Sequence, residues 1–278
     1  MDFHGVHGTV RFTFVRHGES EANRDGVIQG RIPSRLTELG RRQAAETGAW
    51  FRERPPAVIL TSPLTRARQT AEIIAAEAGL AEVREMEALT EIDAGIFSGL
   101  TRAQCAERHP AEWKTFQSFG WESVPGSEKV KDLRARAQAA WDRLIGLAGE
   151  GASSLLCITH SGFLQWMIRS TLGLESWMPL FSTSGNCAIT QLLVDNRPQN
   201  SAQESYYVNW VMINTPPSCA EESCGGAAAP AAGAWTSPVL TIVDSRPTAR
   251  VQSIHDGNTR PHVEIPFKGR EEGAPLKV

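Results

Sequence analysis

Three times along this chain a short apolar or β-branched run stops at residues able to do chemistry and gives way to a helical pattern. Thr9 to Val15 ends at Arg16-His17-Gly18, where glycine permits a sharp exit from a strand. Ala57 to Leu60 runs into Ser62-Pro63, with Leu64, Ala67, Ala71, Ile74 and Ala78 at helical spacing behind it. That pattern predicts Ser62 as N-cap, Pro63 as the first helical residue and Arg66 in the first turn. Ser154 to Thr159 ends at His160-Ser161-Gly162, followed by Phe163, Met167, Ile168 and Leu172. Strands that alternate with helices bury their apolar faces in a sheet with helices on both sides. The expected fold is therefore α/β, a three-layer αβα sandwich with a mostly parallel central sheet. Ligands of such sheets bind beyond the carboxyl ends of the strands, so Arg16, His17, Arg66 and His160 are expected to converge.

Between these units, Val130, Leu133, Ala137, Ala140, Leu144 and Leu147 mark a long amphipathic helix, and Ala188 to Val194 and Tyr206 to Ile213 have the character of closing strands. From Thr215 to Pro238 the composition shifts to Ala, Gly, Pro and Ser, which bury too little apolar surface to hold one conformation. The expected organisation is a main domain over 1–214, a linker over 215–238 and a β-rich extension over 239–278. In that extension Val239 to Asp244, Arg250 to Ile254 and His262 to Ile265 are β-like. Three short strands are marginal alone, so the extension is expected to dock on the main domain or on a second subunit, which leaves a homodimer open, or to be partly disordered.

A net charge of -3 gives no general attraction to polyanions, and no basic run stands out, so neither nucleic acid nor a membrane surface is expected as a partner. Five cysteines, three of them scattered through the main domain, read as reduced thiols; Cys219 and Cys224 fit free thiols better than a disulfide or a weak metal site. No leader pattern and no spanning apolar stretch are evident, which points to a soluble cytoplasmic protein. The remaining histidines, His4, His7, His109, His255 and His262, lack metal-ligand spacing.

Two arginine forks beside a helix N-terminus suit the oxygens of a phosphate. A neutral imidazole attacks phosphorus, and nearby guanidinium charge lowers its pKa and keeps it neutral, a setting that His17 has. His160 is placed to neutralise charge that develops on the equatorial oxygens.

At this point the sequence resembles a family, the histidine phosphatase or phosphoglycerate mutase-like superfamily, over roughly Arg11 to Ile213. The motifs are Arg16-His17-Gly18-Glu19-Ser20 with Asn23, Ser62-Pro63-Leu64-Thr65-Arg66-Ala67-Arg68-Gln69-Thr70-Ala71, Glu91-Ile92-Asp93-Ala94-Gly95 with Ser98-Gly99-Leu100, and Thr159-His160-Ser161-Gly162. The resemblance implies that His17 becomes a phosphohistidine, that Arg16, Arg66 and His160 hold the phosphoryl group, that Asn23 assists and that Glu91 donates the proton, with no cofactor and no metal. A carboxyl beside a bound phosphate is disfavoured as an anion, which suits Glu91 to that role. Asn23 also has a plainer reading, as a turn stabiliser after the first strand.

The resemblance leans to the phosphatase branch. Ala22 stands where the mutases carry Trp, and their Glu-Arg-Arg-Tyr-Gly segment is absent. Pro125-Gly126-Ser127-Glu128 resembles the Gly-Gly-Glu-Ser element of the phosphatases, with Lys129 in place of its Ser. The expected activity is hydrolysis of small phosphorylated metabolites. Its rivals are a phosphoryl mutase on the same residues and a non-catalytic regulatory or binding protein on the same fold. Arg24, Arg31, Arg35, Arg102 and Lys129 lie near the expected mouth in sequence; solvated charge is the plainer reading of each, a second anion subsite the sharper one.

Overall fold

The computed structural model describes residues 1–80, 82–174, 183–196, 207–218, 240–245 and 248–253. The chain opens with β1 (Gly8–Arg16), the single turn α1 (Glu21–Arg24), α2 (Glu38–Arg52), β2 (Val58–Thr61), α3 (Thr65–Ala78) and the short β3 (Arg84–Glu85). Then follow α4 (Arg102–Arg108), α5 (Pro110–Phe119), α6 (Val130–Gly149), β4 (Ser154–Thr159), α7 (Ser161–Leu172), β5 (Ile189–Asn196), β6 (Tyr207–Thr215), β7 (Leu240–Ser245) and β8 (Thr248–Ser253). The strand order is β3-β2-β4-β1-β5-β6-β7-β8. Neighbours from β3 through β1 are parallel, and those from β1 through β8 pair antiparallel. In the six-stranded centre only β5 runs against the rest, so the expected α/β sheet, mostly parallel, is the one observed.

Alternation along the strands produces the three layers. Val10, Phe12 and Phe14 of β1 and Leu155 and Cys157 of β4 pack with Leu133, Trp141 and Leu144 of α6 and Phe163 and Met167 of α7. Val15, Leu156 and Ile158 point the other way, onto Ala44 and Phe51 of α2 and Ala67, Ala71 and Ile74 of α3. Trp141, fully buried, sits edge-on to Phe3, Phe12 and Phe14. A smaller core of Phe97, Cys105 and Val124, with Trp113, Phe116 and Trp121 against it, supports α4 and α5. None of α2, α4 and α5 is among the elements that the apolar patterning marks.

One expectation needs correcting. The helix after β2 begins at Thr65 with Leu64 at its N-cap, not at Pro63 with Ser62 as the cap. The Ser62 hydroxyl is engaged by His160 instead (2.8 Å). Arg66 nevertheless falls in the first turn. At the far edge, β7 pairs with β6 and β8 with β7; most of the expected linker and the third expected strand, His262 to Ile265, lie outside the described residues, as do Cys219 and Cys224. No helix among the described residues is long and apolar enough to cross a membrane.

Candidate active site

Parallel pairing of β1 with β4 places the two histidines side by side. Arg16 lies opposite Thr159, and the His17 N–H donates to the Thr159 carbonyl (3.0 Å), so His160 emerges next to His17 with ring centroids 5.1 Å apart. The turn after β1 passes directly over the start of α2. A Cβ on Gly18 would lie 2.4 Å from the Gly40 carbonyl oxygen, and one on Gly40 would lie 2.0 Å from that of Glu19. Thr70 of α3 accepts from the Gly18 N–H (3.0 Å), and Asn186 Nδ2 donates to the His17 carbonyl (2.9 Å).

His17 is held in one tautomer. Its Nδ1 is 2.7 Å from the Gly18 carbonyl oxygen, which can only accept, so Nδ1 carries the proton and Nε2 keeps its lone pair. The Arg66 Nε–H donates to that Nε2 (3.3 Å). Burial first, then the charges of Arg16 and Arg66, push the His17 pKa well below 6.5 and keep the ring neutral. His160 is pushed well below 6.5 as well, by burial and then by Arg66. Its Nε2 meets the Ser62 hydroxyl, whereas its Nδ1 is buried with no partner among the described residues.

The two arginines are fixed by backbone. Arg66 donates from Nη2 to the Gly30 carbonyl (2.8 Å) and from Nη1 to that of Ile32 (3.1 Å). Burial lowers its pKa to about 10, which leaves it charged at neutral pH. Arg16 donates from Nη1 to the Ser184 carbonyl, and its Nε is buried without a partner among the described residues. Arg16 Nε and His160 Nδ1 are thus buried nitrogens without partners among the described residues, on the residue before His17 and on the ring beside it, and buried polar atoms of this kind ordinarily have partners. A bound oxyanion would supply them.

Glu91 reaches the N-terminus of α7. Its Oε1 accepts from the N–H groups of Ile92 and Phe163 (2.9 Å each) and its Oε2 from that of Gly162 (3.2 Å). The segment that carries it is clamped by a part-buried carboxylate. Glu128 takes a two-pronged contact from Arg136 (2.7 Å each) and a third bond from Arg31 (2.9 Å). Arg136 also donates to the carbonyls of Ala88 and Thr90 and lies 4.0 Å over the Phe163 ring, while Arg31 donates to the Glu91 carbonyl (3.1 Å).

Arg16, His17, Asn23, Arg66 and Glu91 line one cavity of about 220 Å3. His160 is fully buried behind it, against His17. The Asn23 Oδ1 accepts from the Ser20 backbone (3.2 Å), which completes a capping box on α1, and its place in the lining leaves a ligand contact open as well. Of the nearby cations, Arg31 and Lys129 are engaged by protein groups, Lys129 Nζ donating to the carbonyls of Glu122 and Val124. Nothing in the sequence patterning marks the carbonyls of Gly30 and Ile32, Asn186, or Trp121 in the cavity wall. The first are backbone groups of a loop; Asn186 lies 26 residues beyond His160, and Trp121 lies outside the quoted motifs, four residues before Pro125. Among the described residues no cluster of three His, Cys, Asp or Glu is arranged to hold a metal ion.

The sequence profile of the histidine phosphatase superfamily (branch 1) matches residues 12–203. A 2-carboxy-D-arabinitol-1-phosphatase of Triticum aestivum is 32% identical over 219 residues; the match takes in 77% of this chain but only 43% of the wheat protein, so the chain spans less than half of that relative. A probable phosphoglycerate mutase GpmB of Salmonella paratyphi C is 30% identical over 188 residues, 64% of this chain and 82% of that protein. Among solved structures, a mycobacterial glucosyl-3-phosphoglycerate phosphatase in complex with VO3 superposes with a TM-score of 0.59 at 29% identity, covering 66% of this chain and 90% of its own. Another, titled mycobacterial hydrolase 1, gives 0.64 at 28% identity, covering 74% and 99%. A family profile that runs from β1 almost to β6, over a site whose histidines and arginines meet at the strand ends, leaves one assignment: the chain belongs to the histidine phosphatase superfamily, branch 1.

Proposed function

We propose that this protein is a metal-independent phosphomonoesterase that hydrolyses small phosphorylated metabolites through a phosphohistidine on His17. The observation that carries the reading is the forced tautomer: the Gly18 carbonyl accepts a hydrogen bond from Nδ1–H, which leaves the Nε2 lone pair toward the arginine-lined cavity. In the first step Nε2 bonds to phosphorus as the ester P–O bond breaks, and Glu91 passes a proton to the departing alkoxide. Arg16, Arg66 and His160 stabilise the charge on the equatorial oxygens, and Asn23 assists. In the second step water attacks phosphorus, the N–P bond breaks, and Glu91 takes up the proton released by the water. Phosphate and the protonated enzyme result, ready for another ester.

Phosphatase names among the relatives support hydrolysis. The mutase reading draws on the GpmB-like relatives, but a mutase retains a bisphosphorylated intermediate and needs a second anion site. Brief mixing with a 32P-labelled ester in EDTA should give an acid-labile, base-stable phosphoenzyme and free phosphate. His17→Ala should give neither. Label on a serine, or isomerised product without phosphate release, would overturn the proposal.

A further inference from the structure

Ser62, His160 and His17 are the first residues past β2, β4 and β1, three adjacent parallel strands. His160 therefore sits between the serine and the nucleophile. Ser62 and His160 are both fully buried, so their polar atoms need partners in the protein or on a ligand. The Ser62 Oγ accepts from the Leu64 N–H (3.3 Å) and lies 2.8 Å from His160 Nε2. That nitrogen is the one acceptor that the described residues offer to the Ser62 hydroxyl hydrogen. If Nε2 held the ring proton, the hydroxyl hydrogen would be buried without an acceptor, and so would the lone pair left on Nδ1 be buried without a donor. With Nε2 as the acceptor, the hydroxyl is satisfied at both ends and the ring proton stands on Nδ1.

The two nitrogens of an imidazole point to nearly opposite sides. Contact on the β2 side through Nε2 thus turns Nδ1 toward the β1 side, where the His17 ring lies 5.1 Å away. Resting on the phosphatase reading above, we infer that Ser62 is a positioning residue of the reaction: by donating to Nε2 it fixes the His160 proton on Nδ1, and that N–H is the donor to a non-bridging oxygen of the phosphoryl group that His17 receives. Burial, and then the charge of Arg66, keep the ring neutral, so only one of its two tautomers can serve. The other would set a lone pair against the oxygen.

The tautomer is read directly by 15N NMR of the full chain labelled in histidine, with His160 assigned by its absence in His160→Gln. Nδ1 should carry the hydrogen and Nε2 the lone pair; a protonated Nε2 in the wild type would overturn the inference. Ser62→Ala should lower kcat about 100-fold, with a much smaller change in KM. The loss should be equal for ethyl phosphate and 4-nitrophenyl phosphate, whose non-bridging oxygens are alike, and Ser62→Thr, which keeps the hydroxyl, should recover most of it. In the His160→Gln background Ser62→Ala should cost less than about threefold more. A serine that only supports the fold would cost the same in both backgrounds, and that result overturns the inference. Should Ser62→Ala fail to fold, the wild-type tautomer decides. If no ester releases phosphate, the phosphatase reading fails, and inorganic phosphate decides the donor: its binding should shift the His160 Nδ1–H resonance, and an unmoved resonance overturns the inference.

Discussion

The sharpest test of Glu91 as the proton donor is a substitution at a different residue. A Cβ added to Gly162 would sit 2.6 Å from Glu91 Oε1, 2.9 Å from Ile92 Cδ1 and 3.2 Å from Glu91 Cδ. Gly162 has a helical backbone within α7, so alanine meets no conformational barrier there, and its helix propensity exceeds that of glycine by about 1 kcal/mol. The obstacle is the carboxylate, the far end of a flexible side chain, which must retreat by about 0.8 Å to reach ordinary van der Waals distance. That movement lengthens the bonds from the Gly162 and Phe163 N–H groups, each worth about 1.5–3 kcal/mol as a bond to a charged group. Propensity offsets part of the loss, so Gly162→Ala should change stability by no more than about 2 kcal/mol in urea unfolding. The rate should respond far more, because misplacing a reacting group by about 1 Å costs roughly 100-fold. The loss should also depend on the ester. Ethyl phosphate releases a strongly basic alkoxide and needs the proton, so its kcat should drop about 30- to 100-fold; 4-nitrophenyl phosphate releases a stable phenolate and should lose less than about fivefold. Equal losses on both esters, or none on either, would refute the placement of the acid at the α7 N-terminus.

Two further outcomes follow from the buried charges. Glu128, 10% exposed in its side chain, joins Arg136 at 15%; Glu128→Ala should destabilise the fold by about 3 kcal/mol in urea unfolding, since it takes the carboxylate partner from a part-buried arginine, and a loss below about 1 kcal/mol would show that solvent already screens the pair. His160 is held well below 6.5 in the folded chain, so as pH falls below 6.5 the unfolded chain takes up a proton that the folded chain refuses. Stability therefore falls with pH, by up to about 1.4 kcal/mol per unit for this residue, until the folded value is passed. His160→Gln should flatten the pH dependence between 6.5 and 5.5 by about that amount, and an unchanged slope would mean that the imidazole charges as easily in the fold as outside it.

The strand ends were legible because each combines a short β-rich run, a breaking residue and a chemical group within a dozen positions. His17, Arg66 and His160 needed no distant information, since the topology of a parallel sheet brings such ends together. The expectation for Ser62 fails for a physical reason. Serine before proline is an ordinary helix start, and nothing local reveals that a histidine some hundred residues later engages the hydroxyl. The helices α4 and α5 are short, 7 and 10 residues, and meet at His109-Pro110, which interrupts any periodic window. The Glu128 clamp was invisible in the same way: its partners lie 97 residues before it and 8 after it, and only the fold makes them neighbours.

What the sequence cannot express at all is how the lone pair of His17 is held. The Arg66 Nε–H covers the lone pair of His17 Nε2 at 3.3 Å, a long and weak bond. The same guanidinium is fixed in plane by the carbonyls of Gly30 and Ile32, so it need not swing away to release the histidine. A phosphoryl oxygen is a stronger acceptor for guanidinium than an imidazole nitrogen, and the bond is charge-assisted. On the proposed chemistry, an arriving phosphate draws the Nε–H onto itself, while the two carbonyls hold Arg66 where it stands. Binding the phosphate and uncovering the attacking lone pair are then one event.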